Sequence, residues 1–433
     1  MDNIKDTLKE IILGNQEQLP LSLISRDIEI ERVQKKATVI LGVRRCGKTS
    51  LLQEYVSELV KNGLDRKQIC HIDFSDDRLI SINDEKPSVI ADAYYELFPE
   101  NHRKKVYFLF DEIQYLNNWE LLVNRLQNTE NCEINITGSS SKLLLDGTST
   151  VLGGRKMGWN LYCYSYREFL RAKGEPCEIS PSKQFKDSQP RLFNEYLEVG
   201  GFPESLLFSR NNARMVFFQN IGNDIVFRDI VLRHDISKPE ALKTMVNVLS
   251  SMIGCLMTES KLYQRLSGMH VKLSKPTMSE YLDYIEESYA FSFVPIRSYN
   301  LAVQSTNGKK VYCADHALAN AISGLSASNA GQKLENIVFL HLKRQTDKVY
   351  YYKTKSGFEV DFAVGPDDAI QLVQVCADIS HSDTFERETR SLVEAMEELR
   401  VNESSIVTIS SEKDIVSGNN TIHVIPAWKY LLK

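Results

Sequence analysis

The chain has 433 residues, 42% of them hydrophobic and 25% charged, a globular composition too long for one ordinary core, so two or three domains are expected. Lys and Arg number 52 against 57 Asp and Glu, a net charge of −5, which excludes a global pull toward nucleic acid. No apolar run approaches the ~20 residues of a membrane helix, the polar start Met1-Asp2-Asn3 lacks a signal-peptide core, and the eight scattered cysteines form no C-x-x-C pair, so reduced thiols and a cytoplasmic location are expected.

Residues 1–34 are polar with helical spacing and read as an amino-terminal arm, either a packing helix or a cover for a nucleotide base. Residues 35–172 then alternate strand and helix, the pattern of a parallel sheet wrapped by helices. The first strand, Thr38 to Leu41, runs into Gly42-Val43-Arg44-Arg45-Cys46-Gly47-Lys48-Thr49-Ser50 and an amphipathic helix to Lys61. This fits G-x-x-x-x-G-K-[ST] between a strand and a helix, the context the motif requires. Glycines at 42 and 47 let the backbone curl so that its N–H groups face phosphate oxygens, and the helix adds its own unpaired N–H groups. Lys48 is placed for the β- and γ-phosphates of ATP, and the Thr49 hydroxyl for Mg²⁺. Arg44 and Arg45 fit structural ion pairs as well as nucleotide contacts. Cys46 lies near a helix N-terminus, which would lower its thiol pKa, or is simply a small loop residue.

The second strand is read at Ile69 to Phe74 and the third at Val106 to Phe110, ending in Asp111-Glu112. Asp111 closes an apolar run, as expected of the carboxylate in a Mg²⁺ shell, and Glu112 follows in place to activate a water. The fourth strand, Glu133 to Ile136, ends in Thr137-Gly138-Ser139-Ser140. A hydroxyl there could sense the γ-phosphate; Ser139 is taken for the role, although the sequence does not separate it from Ser140. Arg155 follows a Gly/Ser/Thr-rich loop from Asp146 to Gly154 and could reach a γ-phosphate in cis or in a neighbouring subunit. The trans case would need a homo-oligomer. A fifth strand is read near Trp159 to Tyr164.

Several motifs then carry a family resemblance: the phosphate loop, Phe110-Asp111-Glu112-Ile113-Gln114, Ile136 to Ser140, Gly154-Arg155, Tyr164 to Leu170, Tyr196 to Pro203 and Gly357 to Phe362. In this order they resemble uncharacterised bacterial and archaeal ATPases of the AAA+ superfamily. These carry a carboxy-terminal domain of unknown function that is similar in part to restriction-endonuclease-like folds. The resemblance covers nearly the whole chain. It implies an α/β fold: an AAA+/ASCE-type P-loop NTPase sheet, a helical and winged-helix region, and a small restriction-endonuclease-like α/β domain. It implies no substrate.

Past a polar connector (171–189), residues 190–304 read as helical lid and winged helix, with Arg228 a weak candidate for a second sensor. The helix from Pro276 to Ser288 carries Glu280, Asp283, Glu286 and Glu287, four carboxylates that would repel phosphates. DNA is therefore disfavoured there against packing or docking of an unknown protein partner. Residues 305–433 read as the terminal α/β domain, opened by a strand at Lys310 to Tyr312. A nuclease site of the resembling type wants an Asp, then Glu-x-Lys on the next strand. Alignment puts Asp361 in the first place, Gln374 where the second carboxylate belongs and Cys376 where the lysine belongs, with Glu335 as an accessory acid. The domain is expected to be inactive. The leading expectation is a Mg²⁺-dependent ATPase that moves or gates its carboxy-terminal modules. The alternatives are a nucleotide-gated scaffold with little turnover and a DNA-processing nuclease. GTP stays open, although no N-K-x-D motif occurs.

Overall fold

A computed structural model describes residues 4–17, 23–145, 153–324 and 330–433, which fall into two units, Met1–Leu161 and Tyr162–Lys433. The first unit holds α1 (Ile4–Glu17), β1 (Ala37–Leu41), α2 (Lys48–Lys61), β2 (Ile69–Asp73), α3 (Val89–Leu97) and β3 (Val106–Asp111). It continues with α4 (Trp119–Thr129), β4 (Cys132–Gly138), α5 (Lys142–Leu145) and β5 (Lys156–Asn160). The strands form one parallel sheet in the order β2-β3-β4-β1-β5. Every residue of β1 is buried, as suits a central parallel strand covered on both faces.

The chain leaves β1 for the far edge, returns strand by strand to β4, then crosses to β5 on the other side of β1. Ligands bind at such a reversal, outside the carboxyl ends of the strands. Gly42, Asp111 and Ser139 follow or close the carboxyl ends of β1, β3 and β4 there.

One local expectation changes. The fifth strand lies at Lys156–Asn160, earlier than the apolar run from Trp159 suggests, because Ala37 pairs with Lys156. It is an edge strand and stays partly exposed, so its sequence is not strongly apolar. The arm contains α1, which buries Ile4, Leu8, Ile11 and Ile12. Its Asn15 and Gln16 amides donate to the backbone carbonyls of His71 (2.8 Å) and Ile69 (3.2 Å), satisfying the outer edge of β2. That is a packing helix on the sheet edge. The loop read from Asp146 to Gly154 lies largely outside the described residues.

The second unit begins with α6 (Tyr166–Ala172), α7 (Lys183–Val199), α8 (Asn211–Asp224), a π-helical turn (Ile225–Val231), α9 (Leu232–His234) and α10 (Pro239–Ser250). The connector is shorter than expected: Ser182 caps α7 by accepting from the Phe185 N–H, and Pro190 lies inside the helix. Gly200 has φ 77°, and a Cβ there would come within 2.7 Å of Asp315, whose carboxylate accepts the Gly201 N–H at 2.6 Å. That close approach accounts for Gly200; at Gly201 a Cβ would instead meet the Tyr164 carbonyl oxygen at 2.6 Å.

Next come β6 (Leu256–Met257), α11 (Glu259–Gly268), α12 (Lys275–Glu287), β7 (Phe291–Val294), α13 (Leu301–Thr306) and β8 (Lys309–Cys313). The three strands pair antiparallel in the order β6-β8-β7. Strand β8, read from sequence as the opening of the terminal α/β region, thus closes this small sheet.

The chain ends with α14 (His316–Ser323), α15 (Ala330–Gln345), β9 (Val349–Lys353), β10 (Glu359–Val364), β11 (Gln371–Val375), α16 (Ser382–Leu399), β12 (Glu403–Thr408), β13 (Lys413–Ser417), β14 (Asn420–Pro426) and α17 (Ala427–Leu431). Six of these strands form a mixed sheet, β13-β14-β12-β11-β10-β9. Val360, Leu372, Leu392, Met396, Ile406 and Ile422 pack its core. The β13–β14 hairpin forms one edge of this sheet; its outer strand is nearly all exposed and so carries little apolar signal in the sequence.

Candidate functional site

The phosphate loop owes its shape to two glycines. Gly47, at φ 104°, is left-handed and precedes α2 directly. At Gly42 a Cβ would meet the Leu161 carbonyl oxygen at 2.2 Å, so only glycine fits. Lys48, the first residue of α2, is 4% exposed. Its ammonium donates to the carbonyls of Gly42 (3.2 Å) and Val43 (3.4 Å) and pairs with Glu112 at 3.3 Å. Burial would lower its pKa; the neighbouring charges, led by Glu112, outweigh that and raise it.

Asp111 is fully buried at the end of β3. The Thr137 hydroxyl of β4 donates to its Oδ1, while Oδ2 is buried without a hydrogen-bond partner. Burial pushes this carboxyl up to about 6, against the pull of Thr137 and the Thr49 hydroxyl. A buried carboxylate oxygen with nothing to bond to, beside a threonine hydroxyl, is a donor set that suits a hard divalent cation.

Glu112 holds a left-handed backbone (φ 49°, ψ 48°), a strained conformation for a non-glycine residue. Its N–H donates to Thr137 Oγ1 at 3.0 Å, which fixes that conformation. Burial opposes its charge, yet Lys48, the Gln114 amide and Arg44 together hold its carboxyl below the usual range. Gln114 Nε2 donates to Glu112 Oε2 and also to Ser139 Oγ at 3.3 Å. The structure therefore brings Lys48, Thr49, Asp111, Glu112 and Ser139 together.

Thr137 and Gln114 join them and were given no role from sequence. The signal was present: a hydroxyl directly before Gly138, and an amide two residues past Glu112.

Other candidates part company. Arg155 donates to Asn124 (2.5 Å) and Asn128 (2.9 Å) on α4, and its carbonyl accepts the Ala37 N–H at 2.8 Å. It sits at the amino end of β1, about 13 Å of strand from the phosphate loop. The cis role expected of Arg155 is therefore not met. Arg44 donates to the Tyr115 hydroxyl at 3.3 Å. Arg45 is exposed and left-handed at φ 64°. Val43 is buried, and Ser50 is exposed in the first turn of α2. Cys46 is fully buried and its thiol pKa is raised by that burial, which outweighs Lys48 and Arg26; the activated thiol is not met either. In the second unit, Arg228 is exposed and lies 3.8 Å from Asp224, one turn earlier.

The comparisons agree with this geometry. Residues 34–170 match the family profile described as AAA domain. Residues 190–329 and 330–430 match two domains of unknown function, DUF8612 and DUF4143. An uncharacterised protein of Methanocaldococcus jannaschii, MJ1544, is 30% identical over 99% of this chain and 96% of its own length. The chain belongs to the family of these uncharacterised proteins, with an AAA domain at residues 34–170. A bacterial member from Haemophilus influenzae is 32% identical over 83% of this chain and 88% of its own. Among solved structures, Orc1 of Aeropyrum pernix in complex with DNA covers 74% of this chain and 91% of its own at 13% identity and TM-score 0.31. Cdc6p of Pyrobaculum aerophilum covers 75% and 93% at 16% identity and TM-score 0.25. Likeness at these scores carries no argument about DNA or about how the parts are arranged.

A second polar cluster lies in the terminal region of the chain. Lys310 of β8, 1% exposed, pairs with Asp361 (2.7 Å), Glu335 (3.0 Å) and Glu359 (3.1 Å). Burial opposes its charge, and the three carboxylates outweigh that and raise its pKa. Cys376 does not stand in for the missing cation, since Lys310 supplies one from a strand distant in sequence; the thiol Sγ instead bonds the Asp378 carbonyl at 3.2 Å. Gln374 accepts the Asp361 N–H at 3.1 Å and donates to Glu388 at 2.6 Å. Among the described residues no group of His, Cys, Asp and Glu forms a metal-binding set. On α12, Glu280, Asp283 and Glu286 are exposed, but Glu287 is buried 3.5 Å from His234, so three carboxylates and not four face solvent. Among the described residues no helix is long and apolar enough to cross a membrane.

Proposed function

We propose that the chain binds ATP with Mg²⁺ at the carboxyl ends of β1, β3 and β4, and hydrolyses it. The observation that carries this reading is the convergence of Lys48, Thr49, Asp111 and Glu112, with Asp111 Oδ2 buried and unpaired. The loop N–H groups from Val43 to Ser50 would cradle the phosphates, and Lys48 would exchange Glu112 for the γ-phosphate. Thr49 and Asp111 would hold Mg²⁺, which when bound neutralises phosphate charge. Glu112, ionised below the usual range, is fit to take a proton from the attacking water, and Ser139 sits one amide away to meet the γ-phosphate.

Turnover would gate the modules that follow, acting on a protein partner in the cytoplasm and in a homo-oligomer if the site is shared. The exposed carboxylates of α12 argue against DNA at that helix, the recognition helix of the proposed winged-helix region. The terminal domain, whether or not it is nuclease-like, would be inactive: Lys310 fills the centre of its carboxylates and Gln374 is neutral. The test is phosphate release from ATP by the purified chain, with and without EDTA. Mg²⁺-dependent, multi-turnover release supports the reading; tight ATP binding without release supports the nucleotide-gated scaffold.

A further inference from the structure

Gln114 has no place in the reaction as set out above, yet its amide is the hub of the site. One Nε2 donates to both Glu112 Oε2 and Ser139 Oγ, so it ties the residue after β3 to the residue after β4. The amide orientation follows from chemistry, since a carboxylate only accepts and a flipped amide would set oxygen against oxygen. That orientation leaves Gln114 Oε1 buried with no partner. A buried unpaired acceptor carries a cost, and it persists here where the nitrogen is needed. Gly138 gives the amide its room: a Cβ there would come within 2.8 Å of Gln114 Oε1.

The two oxygens of Glu112 are held from opposite sides. Lys48 takes Oε1 and Gln114 takes Oε2. Once a phosphate claims Lys48, Oε1 is released while Oε2 stays fixed. We propose that Gln114 is a positioning residue for Glu112: its amide fixes one carboxylate oxygen, aims the other at the attacking water, and links that aim to Ser139. The inference rests on the ATPase reading.

Lys48 and Gln114 hold Glu112 by its two oxygens, and Thr137 of β4 holds its backbone N–H. Loss of the Gln114 amide frees one carboxylate oxygen, so hydrolysis slows while Mg²⁺-ATP binding is kept, a split that a purely structural residue would not make.

The experiment compares wild type, Gln114→Met and Gln114→Glu for Mg²⁺-ATP affinity and kcat, with circular dichroism as the check on folding. Gln114→Met keeps the bulk and loses the donor. It is expected to bind Mg²⁺-ATP within about threefold of wild type and to lose about 10- to 100-fold in kcat. Gln114→Glu, which sets a second acceptor against Glu112 in place of the donor, is expected to lose at least as much kcat. A folded Gln114→Met with unchanged kcat overturns the inference and leaves the ATPase reading standing. A loss of affinity as large as the loss of kcat in both variants, the mark of a structural role, also overturns it. A wild type that binds but does not turn over removes the ATPase reading and this inference with it.

Discussion

Asp111→Asn should make the free protein more stable near neutral pH while it damages the Mg²⁺ site. The carboxyl is fully buried and its pKa is raised by that burial to about 6 from the ordinary 3.8. The sign follows from proton linkage. Between those two values the folded state keeps the proton and the unfolded state has released it, so stability falls as pH rises through the window. Above about pH 6 the whole cost is present. A shift of this size corresponds to at most about 3 kcal/mol at ~1.36 kcal/mol per pH unit. An amide cannot ionise, so the variant escapes the cost. It still buries one unpaired polar atom in place of Oδ2, so the net gain should be about 1–3 kcal/mol at neutral pH and near zero at about pH 4. For a unit of this size each kcal/mol raises the melting temperature by roughly 2–4 °C. The assay is thermal unfolding of wild type and Asp111→Asn across that pH range, followed by Mg²⁺-ATP titration of each. A variant with no gain at neutral pH, or the same gain at both ends of the range, refutes the argument that the carboxylate is a buried, metal-waiting charge.

Three further outcomes follow. Lys48→Met removes the cation closest to the proposed phosphate position and should weaken Mg²⁺-ATP by about 10- to 150-fold, the equivalent of a charged hydrogen bond, by calorimetry. Arg155→Ala should leave turnover per chain unchanged at every protein concentration, because Arg155 is held on α4 at the far end of β1; a concentration-dependent loss would revive a role in a neighbouring subunit. The whole chain should not cut single- or double-stranded DNA or RNA with Mg²⁺ or Mn²⁺. Cleavage that disappears in Asp361→Ala would show that Lys310 does not shut the cluster.

What was legible in the sequence was local. A phosphate loop is nine consecutive residues between a strand and a helix, and Asp111-Glu112 directly follow an apolar strand, so spacing along the chain stands in for spacing in the fold. Gln114 and Thr137 were hidden for a different reason. Gln114 lies two residues from Glu112, but its other partner, Ser139, and the partners of Thr137, Asp111 and Glu112, are distant in sequence, and only the pairing of β3 with β4 brings them together. The cis reading of Arg155 failed the same way: its position depends on the register that sets Lys156 against Ala37. Lys310 is the sharpest case, since the missing lysine was sought on the strand next to Asp361. It arrives from β8, a strand of the three-stranded sheet, and no motif spans a separation of 51 positions. Cys46 keeps its plainer reading, a small buried loop residue, because a helix N-terminus lowers a thiol pKa only when water can reach the thiolate; here burial decides the sign.

The most direct test of the central claim is Glu112→Gln, measured for both Mg²⁺-ATP affinity and single-turnover hydrolysis. The amide keeps the shape of the side chain but cannot take a proton, and it no longer competes with phosphate for Lys48. The account predicts affinity equal to or tighter than wild type and hydrolysis slowed by about 10²- to 10⁴-fold. Hydrolysis at the wild-type rate would contradict it.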